Sequence, residues 1–272
     1  MNFSCFAPKT ETPRMIFFKY FLILSAIVFF NQVIHAQSKT SDQAPVTHEN
    51  AAKEEKLKIS HLTGDFYVFT TYSTFAGNRV PSNGMYVLTR EGAILIDTPW
   101  DETQFQPLLD SIEKKHGQKV VLCVSTHSHE DRTAGLEYYG QKGIKTYSSR
   151  QTLELCKIKN EKQARFTFEK DTVFTVGNHA FQTFYPGAGH AEDNIVIWFG
   201  DAKILYGGCF IKSTESPDLG NLADANPAAW EKSVQKVMKK YPHPAFVIPG
   251  HFGWKSNQGL KYTLKLLEKA NR

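Results

Sequence analysis

Hydrophobic residues along this chain recur at two spacings, which predict strands in some stretches and helices in others. Short runs rich in β-branched and aromatic residues predict strands at 66–69, 85–88, 93–97, 119–126, 172–176, 179–185, 195–199, 203–206 and 245–248. The pair at 172–185 turns through Gly177-Asn178, a dipeptide typical of hairpins. The segment from Tyr72 to Gly84 also has the composition of a hairpin.

Helices are predicted where apolar residues recur every three or four positions. Such stretches occur at about 101–116, from about 133, at about 149–157, near 227–240 and at the C-terminus. In the first of them, Phe105, Leu108 and Ile112 form one apolar stripe, and Gly117 ends it. Strands and helices alternate twice without a linker. The pattern therefore predicts one α/β domain over residues 57–272, with two sheets packed face to face and helices outside.

The N-terminus has the composition of a secretory signal peptide, predicted to span residues 1–36. Basic residues precede an apolar run from Tyr20 to Phe30, and small or polar residues follow to Ala36. The run is shorter than the roughly 20 residues that cross a membrane, and an uncleaved anchor is the alternative. Met15 is an alternative start. We expect an exported, periplasmic protein whose residues 37–56 form a loose polar lead-in.

Charge and cysteine content narrow the class of protein. The chain has 32 basic and 27 acidic residues, and loss of Lys9, Arg14, Lys19 and Glu11 with the signal peptide leaves 29 and 26. This mild excess favours neither a nucleic-acid partner nor an acidic one. The cysteines that remain after cleavage are Cys123, Cys156 and Cys209. An odd number leaves at least one free thiol, which we assign to the third as a metal ligand. A disulfide between the other two is an alternative that we do not favour.

Candidate metal ligands are concentrated in the segment His127–Asp131, which follows an apolar run over 120–126. A strand that ends in metal ligands presents them beyond the sheet edge, where open α/β folds keep their sites. Further ligand-type residues follow beside glycines, namely His190, Cys209 and His251. Isolated histidines are usually surface or core residues, but this combination predicts zinc. Six candidate ligands exceed what one tetrahedral ion needs and suit two ions that share a water.

These motifs resemble those of the metallo-β-lactamases, specifically subclass B1, which uses two zinc ions and a cysteine ligand. The resemblance covers about residues 60–272 and implies an αββα sandwich with both ions at one edge. The implied ligands are His127, His129 and His190 for the first zinc, and Asp131, Cys209 and His251 for the second. Arg132 stands where related glyoxalase-like hydrolases have a histidine ligand, which favours the cysteine-containing site. Alternatively, Asp131 caps a helix N-terminus.

The resemblance also implies roles for residues outside the ligand set. Lys212 would bind the carboxylate of a β-lactam, and Asn221 would lie near its carbonyl group. Phe75, in the hairpin-like segment, would contact apolar parts of the substrate, and Asp97 would be a buried acid behind the ligands. Residues that match the family pattern without an assigned role are Trp100, Asp193 and Asn194. Alternatively, Lys212 is an ordinary solvated lysine, Asn221 only caps its own turn, and the hairpin-like segment is an ordinary surface hairpin.

The expected function is zinc-dependent hydrolysis of the β-lactam amide bond by a metal-bound hydroxide, with Asp131 and Asn221 as catalytic residues. Penicillins, cephalosporins and carbapenems are the expected substrates, and antibiotic resistance is the expected result. The alternatives are a hydrolase of the same fold that acts on a thioester, a lactone or a phosphodiester, and a non-catalytic zinc-binding protein. We expect a monomer with no nucleic-acid partner and no stable membrane association after signal cleavage.

Overall fold

Two β-sheets face each other, and helices pack on the outer side of each sheet. The computed structural model describes residues 56–169 and 171–270, all of them within one compact unit that spans Ala52–Arg272. The predicted signal peptide and residues 37–55 of the predicted lead-in lie outside the described residues. Among the helices described, none has the length and apolar character needed to cross a membrane.

The larger sheet has seven strands that pair in chain order. They are β1 (Leu57–Thr63), β2 (Phe66–Phe75), β3 (Asn78–Thr89), β4 (Gly92–Ile96), β5 (Val120–Val124), β6 (Lys145–Ser149) and β7 (Phe166–Phe168). Neighbours from β1 to β4 are antiparallel, whereas neighbours from β4 to β7 are parallel. Parallel pairing brings the carboxyl ends of β4 and β5 to one edge of the sheet, so the residues that follow them meet there.

The smaller sheet has five strands in the order β12-β11-β10-β9-β8. They are β8 (Val173–Val176), β9 (His179–Phe184), β10 (Val196–Phe199), β11 (Ile204–Gly208) and β12 (Phe246–Pro249). β11 and β12 are parallel, and the other neighbours are antiparallel. The predicted hairpin is confirmed, because β8 and β9 pair through Val176 and His179 on either side of the Gly177-Asn178 turn.

Six α-helices complete the described fold. They are α1 (Phe105–His116), α2 (Glu130–Thr133), α3 (Leu136–Gln141), α4 (Arg150–Lys159), α5 (Pro227–Lys240) and α6 (Gly259–Ala270). Gly117 ends α1 with a φ of 67°, a left-handed conformation that glycine adopts without steric cost. Asn226 begins α5 by accepting the Ala229 N–H with its side chain, and Pro227 occupies the first turn.

Alternation along the strands produces the layers of the fold. In β4, Ile94 and Ile96 pack into the core between the sheets, whereas Ala93 and Leu95 face α1 and α3. A third apolar cluster joins the outer side of the smaller sheet to α5 and α6. Each buried side chain of this size contributes roughly 1.5–3 kcal/mol relative to exposure. The predicted αββα sandwich of two mixed sheets is therefore confirmed.

Three strands were not predicted from the sequence: β1, β6 and β7. β1 is a partly exposed edge strand, β6 consists largely of polar residues, and β7 has three residues. The helix expected to start near Thr133 instead ends there, and α3 follows it. A 3₁₀ turn at Glu102–Gln104 precedes α1, because the Asp101 side chain accepts the Thr103 N–H (2.8 Å).

Candidate metal centre and substrate pocket

A buried carboxylate holds the start of the loop that follows β5. Asp97 comes directly after β4 with a φ of 62°, a conformation that costs energy for a residue with a Cβ atom. Its carboxylate accepts the Thr126 N–H (2.7 Å) and the Thr126 hydroxyl (2.9 Å). The Tyr206 hydroxyl donates to the same carboxylate at 2.7 Å. These bonds tie the ends of β4 and β5 together immediately before His127.

Three imidazoles meet at this edge of the sheets, His127 and His129 from the loop after β5 and His190 from the loop between β9 and β10. Their ring centroids lie 4.7, 5.1 and 5.0 Å apart, and the rings are nearly perpendicular. Burial lowers the pKa of His127 and of His190 well below its ordinary value, and nearby cationic groups lower it further. Both rings are therefore neutral at physiological pH, which is the form that binds metal ions.

A carboxylate, a thiol and an imidazole form a second group beside the first. Cys209 Sγ lies 3.3 Å from Asp131 Oδ2 and 3.2 Å from His251 Nε2. The carbonyl of Pro81 lies 2.7 Å from His251 Nδ1. Because a carbonyl only accepts, Nδ1 carries the proton and the Nε2 lone pair faces the group. A Cβ atom on Gly250 would lie 2.8 Å from Cys209 Sγ, so glycine allows this close approach.

Arg132 lies beneath the second group. From the sequence it was notable only because it replaces a histidine ligand of related hydrolases, and no structural role was predicted for it. Its side chain is fully buried, and two of its nitrogens donate to Asp131 Oδ2 at 2.7 and 3.0 Å. Burial alone would raise the pKa of Asp131, but the Arg132 guanidinium holds it well below its ordinary range. Burial also raises the pKa of Asp97, to about 6, although Arg132 opposes this shift. The guanidinium thus keeps the Asp131 carboxylate ionised.

The alternative in which Asp131 caps a helix is not what the structure shows. The N-cap of α2 is His129, and Asp131 is the second residue of the helix, with its carboxylate on Arg132. The Asp131 carboxylate also lies 3.1 Å from His251 Nε2. The position is therefore available for metal binding.

The donor set fits zinc. Within each of three groups of residues, the potential ligand atoms lie within 4.8 Å of one another: His127, His190 and Cys209; His127, His129 and Asp131; and Asp131, Cys209 and His251. His127 Nε2 is buried without a hydrogen-bond partner among the described residues, whereas buried polar atoms normally have one. Burial raises the pKa of the Cys209 thiol, which would become a thiolate on a cation. Nitrogen, sulfur and carboxylate donors are those that zinc prefers.

Asp224, in the loop that precedes α5, contacts the first group from the solvent side. His129 Nε2 lies 2.9 Å from Asp224 Oδ2, and His129 Nδ1 lies 3.2 Å from His190 Nε2. Because a carboxylate only accepts, Nε2 carries the proton and the Nδ1 lone pair faces the other imidazoles. Sequence reasoning missed Asp224, since an acid in a polar loop carries no distinguishing signal.

A cavity of about 580 Å³ opens above both groups, and Lys212 and Asn221 line it. Lys212 is buried, and its ammonium lies 5.2 Å from the ring centroid of Trp230. Burial lowers the pKa of Lys212, whereas Cys209 opposes this shift. Asn221 is exposed, and its Oδ1 accepts the Ala223 N–H at 3.0 Å. The turn cap that stood as the alternative is therefore present, and it uses the amide oxygen of Asn221.

The hairpin of β2 and β3 forms an apolar wall of the cavity. Phe75, at the end of β2, is 47% exposed and lies 6.1 Å from Trp100, measured between ring centroids. Trp100 donates through Nε1 to Glu130 at 3.0 Å. The structure therefore places Phe75 at the cavity, while Trp100 connects the hairpin to α2.

The Asp193-Asn194 pair supports the loops rather than the cavity. Asn194 accepts the Ala191 N–H (2.9 Å) and donates to the Gly187 carbonyl (3.1 Å), which shapes the loop that carries His190. Asp193 is buried and accepts from Ser128, the residue between the first two imidazoles (3.4 Å). Cys123 and Cys156 are both free and buried, so the disulfide alternative is wrong.

Comparisons with known proteins agree with this geometry. Residues 77–251 match the model of the metallo-beta-lactamase superfamily. The chain is 42% identical over 226 residues to a metallo-beta-lactamase type 2 of Elizabethkingia meningoseptica, covering 82% of this chain and 91% of that one. It is 39% identical over 213 residues to a metallo-beta-lactamase type 2 of Bacillus cereus, covering 78% and 83%.

Solved structures show the same similarity. A metallo-beta-lactamase from Pontibacter korlensis superposes with a TM-score of 0.76 at 35% identity, covering 78% of this chain and 99% of that one. The crystal structure of metallo-beta-lactamase IND-7 gives a TM-score of 0.76 at 34% identity, covering 79% and 99%. The chain therefore belongs to the metallo-β-lactamase superfamily, and the predicted resemblance to subclass B1 is confirmed by its relatives.

Proposed function

We propose that this chain hydrolyses the amide bond of β-lactams with two zinc ions bound at the candidate metal centre. The observation that carries the proposal is the convergence of three imidazoles with a carboxylate, a thiol and a fourth imidazole beneath a cavity that contains a lysine. The proposed ligands are His127, His129 and His190 for one ion, and Asp131, Cys209 and His251 for the other. Zinc in such a site acts as a Lewis acid and makes hydroxide available near neutral pH.

Lys212 is proposed to bind the carboxylate of the substrate. Burial disfavours its ammonium form, so an anionic group in the cavity would restore the charge and gain a charge-assisted hydrogen bond. A buried lysine also has few rotamers to lose when the substrate binds, which helps to fix the orientation of the scissile bond.

Asn221 and Asp131 are proposed to act on the reacting groups. Asn221 offers its amide N–H towards the carbonyl oxygen, where negative charge develops during attack. Asp131 is ionised because Arg132 lies against it, so its carboxylate can accept a hydrogen bond from water and orient it as well as bind zinc. Phe75 covers the apolar part of the substrate and excludes solvent from that wall of the cavity.

The test is turnover of a chromogenic cephalosporin by the purified protein. We expect hydrolysis that a chelator abolishes and that added zinc restores, with two zinc ions per chain by metal analysis. Parallel assays with a chromogenic thioester, lactone and phosphodiester address the alternative hydrolase activities. Absence of cephalosporin turnover in protein that contains its full zinc complement would refute the proposal. Penicillins and carbapenems are proposed as further substrates.

Export to the periplasm as a monomer is also proposed. The order of basic, apolar and small residues over 1–36 supports cleavage after Ala36. N-terminal sequencing of the protein from a periplasmic fraction should give Gln37 as the first residue. Sedimentation of that material should give the mass of one chain, and a dimer mass would contradict the proposal.

A further inference from the structure

A lysine outside the ligand set reaches the candidate metal centre through a carboxylate. Lys159 is the last residue of α4, and its ammonium donates to Asp224 Oδ2 at 2.6 Å. The same oxygen lies 2.9 Å from His129 Nε2. The three side chains therefore form two consecutive charge-assisted hydrogen bonds that begin on a helix and end at a proposed zinc ligand.

The fold holds the helix that carries Lys159 more firmly than the loop that carries Asp224. α4 is anchored by Ser149, whose hydroxyl accepts the Thr152 N–H (2.9 Å), and by the buried side chains of Thr152 and Cys156. The Asp224 side chain belongs to a loop and is 40% exposed, whereas that of Lys159 is 26% exposed. A carboxylate on an exposed loop samples several rotamers and competes for water unless a second group holds it.

The position of the Asp224 carboxylate matters because it determines which ring nitrogen of His129 carries the proton. With this carboxylate at Nε2, the proton lies on Nε2 and the lone pair on Nδ1 faces His190. We infer that Lys159 is a positioning residue for the metal centre, which holds Asp224 so that His129 keeps its Nδ1 lone pair directed at the zinc ion. This inference rests on the proposed function, because it requires His129 to be a zinc ligand.

Zinc affinity tests the inference independently of turnover. Zinc alone is titrated into the zinc-free full chain in competition with a chromophoric chelator. Lys159→Met should weaken zinc binding roughly threefold to fivefold, the upper range for a partly exposed ion pair. Lys159→Arg should retain most of the affinity, because a guanidinium can still pair with Asp224. Lys157→Met is the matched control, since Lys157 lies on the same helix turn and pairs with Glu154 on its surface (2.9 Å).

A double-mutant cycle shows whether Lys159 acts through Asp224. Asp224→Asn alone should weaken zinc binding about 10- to 100-fold, as loss of a ligand's hydrogen-bond partner does. On that background Lys159→Met should change the affinity by less than about 1.5-fold. In the zinc-free chain, nitrogen NMR should show His129 mainly as the Nε2–H tautomer, and Lys159→Met should increase the fraction of the other tautomer.

The outcomes separate this inference from the proposed function. If Lys159→Met matches the Lys157→Met control, or loses the same affinity on both backgrounds, the positioning role is wrong. A wild-type chain that binds zinc and hydrolyses a cephalosporin in that case leaves the proposed function intact. A wild-type chain that binds no zinc overturns the proposed function and this inference with it.

Discussion

Replacement of Arg132 by methionine would leave two buried carboxylates without their cation. The guanidinium lies 2.7 Å from Asp131 Oδ2 and 3.4 Å from Asp97 Oδ2, and its side chain is 0% exposed. Its nitrogens also donate to the carbonyls of Asn83 (2.6 Å), in β3 of the larger sheet, and Gly250 (2.9 Å), directly after β12 of the smaller sheet. The substitution therefore removes a buried cation and also a hydrogen-bond donor that the two sheets share.

The expected cost follows from these contacts. Loss of one partner from a buried ion pair costs roughly 3–5 kcal/mol, since the other charge keeps its desolvation penalty. Two carboxylates and two carbonyls lose a donor here, so Arg132→Met should cost about 4–5 kcal/mol of the free energy of unfolding. Arg132→Lys keeps the charge but has three N–H donors instead of five, and should cost about 1–3 kcal/mol.

Urea-induced unfolding of the zinc-free protein measures these differences. Arg150→Met is the matched control, because Arg150 pairs with Glu169 at the surface (2.9 Å) and its loss should cost less than about 1 kcal/mol. The deficit of Arg132→Met should shrink as the pH falls from about 7 to about 5, since carboxyls without the guanidinium protonate more readily. An Arg132→Met protein within about 1 kcal/mol of the control would refute this account of the site.

Three further predictions address single residues. Cys209→Ser should reduce bound zinc from two ions to about one per chain and sharply lower kcat. Cys156→Ser is the control and should keep both ions. Unchanged zinc stoichiometry and rate in Cys209→Ser would contradict the ligand assignment. Phe75→Ala should raise KM about fivefold with little change in kcat. Phe166→Ala, which removes a similarly exposed ring from β7, is the control and should leave KM unchanged. The same KM in both variants would contradict contact between Phe75 and the substrate. Burial raises the pKa of Asp97 from 3.8 to about 6. Between these two pH values the folded zinc-free protein retains a proton that the unfolded chain releases. Ionisation of Asp97 therefore destabilises the fold as the pH rises through this range. Asp97→Asn should therefore gain up to ~3 kcal/mol relative to wild type between about pH 4 and pH 7 in unfolding experiments, and parallel pH curves would contradict the shift.

The sequence determined the layers of the fold and the candidate metal ligands. The continuous apolar run Ala93–Ile96 marks a strand buried on both faces, and this requires a second sheet on one side and helices on the other. Gly117 and Asn226 limit helices by local backbone chemistry that a few neighbouring residues define. The donors of the His127–Asp131 segment were recognisable because they follow a strand at close spacing.

The tertiary structure decided which groups surround those donors. The Pro81 carbonyl that orients His251, and the carboxylate of Asp224 at His129, come from positions far away in the chain. Such contacts depend on sheet register and loop packing, and neither leaves a local pattern in the sequence. The same reason explains β6, whose polar residues form a strand because parallel neighbours on both sides supply its hydrogen bonds.

Arg132 shows the distinction most clearly. In the sequence it is a basic residue in a polar segment, and its type alone favours an exposed position. In the fold, α2 points it inward between the two sheets, where ionised Asp131 and the carbonyls of Asn83 and Gly250 replace its water. The sequence by itself determined which residues could bind a metal ion. Burial of the Arg132 guanidinium depended on partners that only the assembled sandwich brings together. A charged group leaves water at low cost only where the fold places hydrogen-bond acceptors and opposite charge around it.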